Sequence, residues 1–157
     1  FGSSSYPKWW ELRAATEEQS ELARQMDSAA EQMTPFVKLI SRCRPTIGRP
    51  IITGHSQGGM MTLATAAEDP SLVRAAIPVS GWLPQDLWPK QLPTTVAVHG
   101  TGDRTVNFDR TADFIARAKN AGIPIDLVPI DGHKHGLSGG LKSTWLDAID
   151  WSISNTE

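Results

Sequence analysis

Apolar residues recur along this chain with two periods, and the change between them falls near residue 50. Before it, Leu22, Met26, Ala29 or Ala30, and Met33 stand at helical spacing with Glu and Gln between them. Thr16-x-x-Gln19 is a capping-box pattern, in which two side chains satisfy the free N–H groups that open a helix. Thr34-Pro35 reads as a new N-cap and first helical position, which predicts a kink or restart there. Phe36, Val37 and Ile40 continue the apolar face. Residues 1–15, polar and aromatic with Trp9 and Trp10 adjacent, read as loop, and residues 16–42 as a helical segment. Arg42 to Pro50, with two prolines and Gly48, is a connection.

From residue 51 short apolar runs alternate with helical patterns to the end of the chain. Ile51–Thr53 predicts a strand and 57–68 a helix. Residues 75–80 predict a second buried strand, although Pro78 removes a ladder donor. Gly81 to Pro93 is a loop rich in proline and tryptophan. Residues 94–99 and 125–130 predict two more strands, separated by a helix carrying Phe108, Ile115 and Ala118. Leu141, Trp145, Ile149 and Ile153 stand four apart and mark a last helix. Such units imply an α/β fold, a parallel sheet with helices on both faces, in a single domain over 1–157.

Composition changes this picture little. A hydrophobic content of 39% and a charged content of 20% describe a globular domain, and 157 residues suffice for a sizeable core. The net charge of −2 argues against nucleic acid as a partner. No apolar run approaches the roughly 20 residues that span a bilayer. The start, Phe1 to Pro7, lacks the basic and apolar regions of a signal peptide, and since a mature chain has lost any such segment the compartment stays open. Cys43 is the only cysteine, so no intrachain disulfide forms and a buried thiol is expected.

The chemistry gathers at predicted strand ends, where sites form in open sheets of this kind. Gly54-His55-Ser56-Gln57-Gly58 has the G-x-S-x-G pattern of a nucleophile elbow, a sharp strand-to-helix turn that projects a serine hydroxyl. The helix beginning at Gln57 aims its first N–H group at charge developing beside Ser56, a candidate oxyanion donor. A serine needs a base, and the base needs an acid to fix its tautomer, in the chain order Ser, Asp or Glu, His. Asp103, beyond the third strand, is the candidate acid. The base is His135 or His133, with His135 preferred because Gly136 beside it permits close approach. His55 and His99 are read as positioning groups. Two histidines with no carboxylate or cysteine partner make a poor metal site, so neither metal nor cofactor is expected. Trp82 and Trp88 are candidates both for lining a substrate pocket and for core packing.

With these residues in hand, the chain resembles the α/β-hydrolase fold, and more narrowly the phospholipase/carboxylesterase branch that includes acyl-protein thioesterases. The likeness is carried by Gly54 to Met60, by Val79-Ser80-Gly81-Trp82-Leu83-Pro84, and by His99-Gly100-Thr101-Gly102-Asp103-x-x-Val106. Gly59-Met60-Met61 and the Asp131–Leu137 loop are also similar to polyester depolymerases and feruloyl-type esterases. The resemblance runs from about Trp9 to the C-terminus. It implies hydrolysis of an ester or thioester through an acyl-enzyme, with Ser56 as nucleophile, His135 as base and Asp103 as orienting acid. Acyl transfer to another acceptor, and a silent binding module, are the competing expectations.

The pattern also departs from that family. Its members carry several strands before the elbow, one followed by a loop that donates a second oxyanion N–H, and nothing upstream of residue 51 reads as a strand. The expectation is therefore the C-terminal half of the fold, completed by a second polypeptide that carries the N-terminal half. Loss of one oxyanion donor costs about 2.7–4 kcal/mol of transition-state stabilisation, so these residues alone should turn over poorly.

Overall fold

A computed structural model describes residues 8–11, 18–44 and 47–156. The chain runs α1 (Gln19–Cys43), β1 (Ile51–His55), α2 (Gln57–Glu68), β2 (Ala75–Val79), a 3-10 turn (Gln85–Leu87), β3 (Thr94–Gly100), α3 (Phe108–Asn120), β4 (Ile125–Ile130) and α4 (Gly139–Asn155). The four strands form one parallel sheet in the order β1-β2-β3-β4. Leu22, Met26, Met61, Leu63 and Phe114 build the core on the face covered by α1, α2 and α3. Ile77, Val79, Val98 and Leu141 build the smaller core under α4 on the other face. Among the described residues no helix is long and apolar enough to cross a membrane.

Both prolines that lie in strands are accommodated without a slip in register. In β2, Ala76 pairs with Thr95 and Val79 with Val98, so Pro78 opens a gap in that ladder and not an offset. Pro129 lies in β4, an edge strand, where a missing donor can face outward. β1 forms the opposite edge and pairs only with β2 among the described residues.

Two sequence-based expectations are corrected. The predicted restart at Thr34-Pro35 is absent, because α1 runs through Pro35 as one helix. A proline there costs about 3 kcal/mol, which packing of Leu22, Met26, Ala30 and Thr34 offsets. Thr16, the first member of the expected capping box, lies outside the described residues. The expected last helix is present as α4, although its stripe drifts, because residues four apart advance about 40° more than a full turn. Leu141 and Ala148 are buried while Ile153 is 54% exposed. Cys43, expected to be buried, is exposed at the last position of α1.

Candidate active site

β1 ends at His55, and the chain turns at Ser56 (φ 60°, ψ −121°) directly into α2. A non-glycine residue held there costs roughly 1–3 kcal/mol, so the surroundings must enforce the turn. They do so at two points. The Ser56 N–H donates to Val79 O at 2.9 Å, which pins the turn to β2. A Cβ at Gly54 would lie 2.4 Å from Gly58 O, so only glycine lets strand and helix close so tightly. Gln57 opens α2, and its N–H is among the donors that a helix start leaves without an intrahelical partner. Its side chain fastens the 8–11 segment beside the turn, since Oε1 accepts from Trp9 N and Nε2 donates to Trp10 O, both at 3.1 Å.

The carboxylate comes from the loop after β3. Asp103 is 3% exposed. Its Oδ1 accepts from the Thr105 and Val106 amides at 2.9 and 3.0 Å. Its Oδ2 accepts from His135 Nδ1 at 2.7 Å and from His99 Nε2 at 3.2 Å. The loop after β4 is stitched to this one. Gly102 N–H donates to His133 O at 3.0 Å, and Gly132 N–H to Thr101 Oγ1 at 2.8 Å. The approach needs Gly100, where a Cβ would fall 2.2 Å from His133 O.

The series closes at Ser56. An ionised carboxylate only accepts, so His135 carries its proton on Nδ1 and presents Nε2 as acceptor to Ser56 Oγ, 3.0 Å away. Burial pushes the Asp103 carboxyl upward, but the His135 N–H and the Val106 and Thr105 amides outweigh it and hold the group below the usual value of 3.8. His99 and His55 are both held below 6.5, chiefly by burial. Asp103 is therefore an anion at neutral pH, beside the neutral ring of His99. Such an arrangement can accept the proton of the Ser56 hydroxyl and stabilise the imidazolium that forms.

The other candidates fall elsewhere. His133 lies with Nδ1 against Lys134 O (2.7 Å) and Nε2 against Ser138 O (2.9 Å), so the carbonyls of its own loop occupy both ring nitrogens. Trp82 is buried in the core at 5% exposure. Trp88 is partly buried, its Nε1 donating to Leu83 O at 3.1 Å. The groove of about 450 Å³ that both tryptophans line contains neither Ser56, Asp103 nor His135. Among the described residues no cluster of histidine, cysteine and carboxylate side chains could hold a metal ion. The sequence reading missed Thr101, whose hydroxyl donates to Asp131 Oδ1 at 3.3 Å while accepting from Gly132, and the Gln57 amide that ties down Trp9 and Trp10. A lone hydroxyl or amide beside glycine carries no spacing signal.

Comparison with known proteins places the chain. The sequence profile for phospholipases and carboxylesterases matches residues 2–142. Carboxylesterase SOBER1 of Arabidopsis thaliana is 31% identical over 94 residues, which are 55% of this chain and 41% of that protein. This chain thus matches less than half the length of that relative. Among solved structures, esterase PE8 superposes with a TM-score of 0.76 at 21% identity, covering 90% of this chain and 69% of that one. Acyl-protein thioesterase 2 of Zea mays superposes with a TM-score of 0.74 at 15% identity, covering 93% and 72%. These likenesses show the α/β-hydrolase fold. The expected second polypeptide finds no support, because each matched structure carries the shared portion and the remainder in one chain.

Proposed function

Because the chain belongs to the phospholipase/carboxylesterase family, we propose that it cleaves carboxylic ester or thioester bonds of small substrates through an acyl-enzyme. Ser56 is the nucleophile, His135 the general base and then acid, and Asp103 the group that orients it. The observation that carries this reading is the unbroken series Ser56 Oγ, His135 Nε2, His135 Nδ1 and Asp103 Oδ2, with spacings of 3.0 and 2.7 Å across the two hydrogen bonds.

In the first half-reaction Ser56 Oγ attacks the carbonyl carbon while its proton passes to His135 Nε2. The Nδ1 proton stays on the ring, and Asp103 stabilises the imidazolium without taking it. The oxyanion forms near the start of α2, where the Gln57 N–H donates to it. Breaking the C–O or C–S bond returns the His135 proton to the leaving alcohol or thiol. Water repeats the sequence with His135 as base and frees Ser56. Gln57 is the one oxyanion donor assigned among the described residues, and each absent donor of this kind lowers kcat about 10²–10³-fold. Trp82 and Trp88 enter only as walls of a groove away from Ser56, so they bear on remote parts of a substrate and not on the reacting bond.

Turnover of a short-chain p-nitrophenyl ester tests the reading. The protein should hydrolyse it with saturation, and Ser56→Ala should remove the activity. Equal hydrolysis by Ser56→Ala would overturn the proposal.

A further inference from the structure

The hydrogen bond between Ser56 and His135 joins parts of the chain 79 residues apart. A single bond between two segments fixes a distance but leaves the segments free to rotate about it. A second tie lies one residue away. His55, the last residue of β1 and the one before Ser56, donates from Nε2 to the main-chain oxygen of His135 at 2.8 Å. Their rings lie 4.8 Å apart, tilted by 35°. A carbonyl oxygen can only accept, so the tautomer is settled and Nε2 carries the proton.

We propose that His55 is a positioning residue that holds the backbone of His135 against the turn at Ser56, so that the two reacting atoms stay in hydrogen-bonding register. The inference rests on the function proposed above. Ser56 and His55 are neighbours on one rigid strand end, while the side chain and the carbonyl of His135 are the two ends of one residue. The two bonds therefore run between the same pair of segments, and together they set both distance and orientation. The loop that bears His135 needs such a tie. It carries Gly132 at φ +64° and Gly136, and most of residues 131–138 are exposed. The stitches from Gly102 and Thr101 hold its first half, up to His133. Among the described residues, residue 135 itself is held by the bonds at Asp103, Ser56 and His55. The His55 ring remains neutral beside a base that becomes charged, because burial and the neighbouring His135 both disfavour its protonation. It can thus keep donating to the carbonyl without repelling the imidazolium.

Three variants decide the matter. His55→Phe keeps a ring and removes the donor, His55→Gln places an amide N–H where Nε2 stood, and His55→Asn has an amide too short to reach. Each is assayed for kcat and KM, for the rate of fluorophosphonate labelling of Ser56, and for the low-field Nδ1–H proton resonance of His135. Displacing reacting groups by about 1 Å costs about 10²-fold, so His55→Phe should lower kcat and labelling about 10–100-fold with KM nearly unchanged. Its Nδ1–H resonance should broaden. His55→Gln should recover most of the rate and the resonance. If His55→Phe does not accumulate as folded protein, His55→Asn should show the same split. Equal rates in parent, Phe and Asn proteins would overturn the proposal, as would a loss in Phe that Gln does not restore. A parent protein whose Ser56 is not labelled at all would instead remove the underlying function, and this proposal with it.

Discussion

β1 and β2 end in the same way and do different things. Each is followed by a serine at positive φ, 60° at Ser56 and 51° at Ser80. Each serine donates its N–H to a carbonyl near the end of the neighbouring strand, Ser56 to Val79 O, the last residue of β2, and Ser80 to Val98 O, two residues before the end of β3, both at 2.9 Å. The backbone strain is therefore shared. The surroundings differ. After Ser56 the chain enters α2 at once, and its hydroxyl meets His135 Nε2. After Ser80 it continues into Gly81, Trp82 and Leu83, which are buried, and the Ser80 hydroxyl is itself buried with no hydrogen-bond partner among the described residues. A strained serine at a strand end thus confers no chemistry by itself. Under the proposed function, access and a base with a fixed tautomer supply it.

The sharpest way to break this comparison is to remove the base. His135→Ala should lower kcat by several orders of magnitude, whereas His133→Ala, whose ring bonds only its own loop, should be mild. The reverse ranking in steady-state kinetics would move the base. Asp103→Asn comes next. An amide can present N–H to Nδ1 and favour the wrong tautomer, so kcat should fall about 10⁴-fold while the fold persists. Circular dichroism together with turnover separates this from unfolding, and a loss below about tenfold would contradict the assigned role.

These expectations show what the residues disclosed and what they did not. The G-x-S-x-G pattern singled out Ser56 over Ser80 because the pattern encodes a backbone requirement, two glycines flanking a tight bend, and the Cβ clash at Gly54 is that requirement in space. Strand positions were legible from apolar runs, and the order of serine, aspartate and histidine followed from strand ends. Spacing does not choose between His133 and His135, since both lie in the same glycine-rich loop; contact of the His135 ring with Asp103 Oδ2 and Ser56 Oγ is a three-dimensional feature. The continuous α1 is not legible at Pro35, because the local proline signal carries no trace of the core contacts that override it. Ser80's positive φ had no signal, as it arises where β2 turns back into the core.

Proton linkage sharpens the comparison more gently. His55 and His99 have folded pKa values depressed below 6.5. The unfolded chain therefore takes up protons that the folded chain refuses, and stability falls as pH drops below 6.5 through the folded values. Asp103, depressed below 3.8, contributes stability that is full above that value and lost as pH falls through its folded pKa. Urea midpoints at about pH 7.5 and about pH 5 should thus differ, with the lower value at the lower pH, and His99→Gln should narrow the gap. Equal midpoints would contradict the burial of neutral histidines. The smallest effect is at Ser80. Its unpartnered hydroxyl costs about 1–3 kcal/mol, so Ser80→Ala should raise the melting temperature by about 2–12 °C and leave turnover unchanged. A fall in melting temperature would mean that the hydroxyl is bonded.

The most direct measurement is reaction of the native protein with a fluorophosphonate, followed by peptide mass spectrometry to locate the adduct. The account predicts one modified residue, Ser56, with no labelling of Ser56→Ala and undiminished labelling of Ser80→Ala. An adduct on Ser80 or Ser138, or labelling that survives Ser56→Ala, would contradict it.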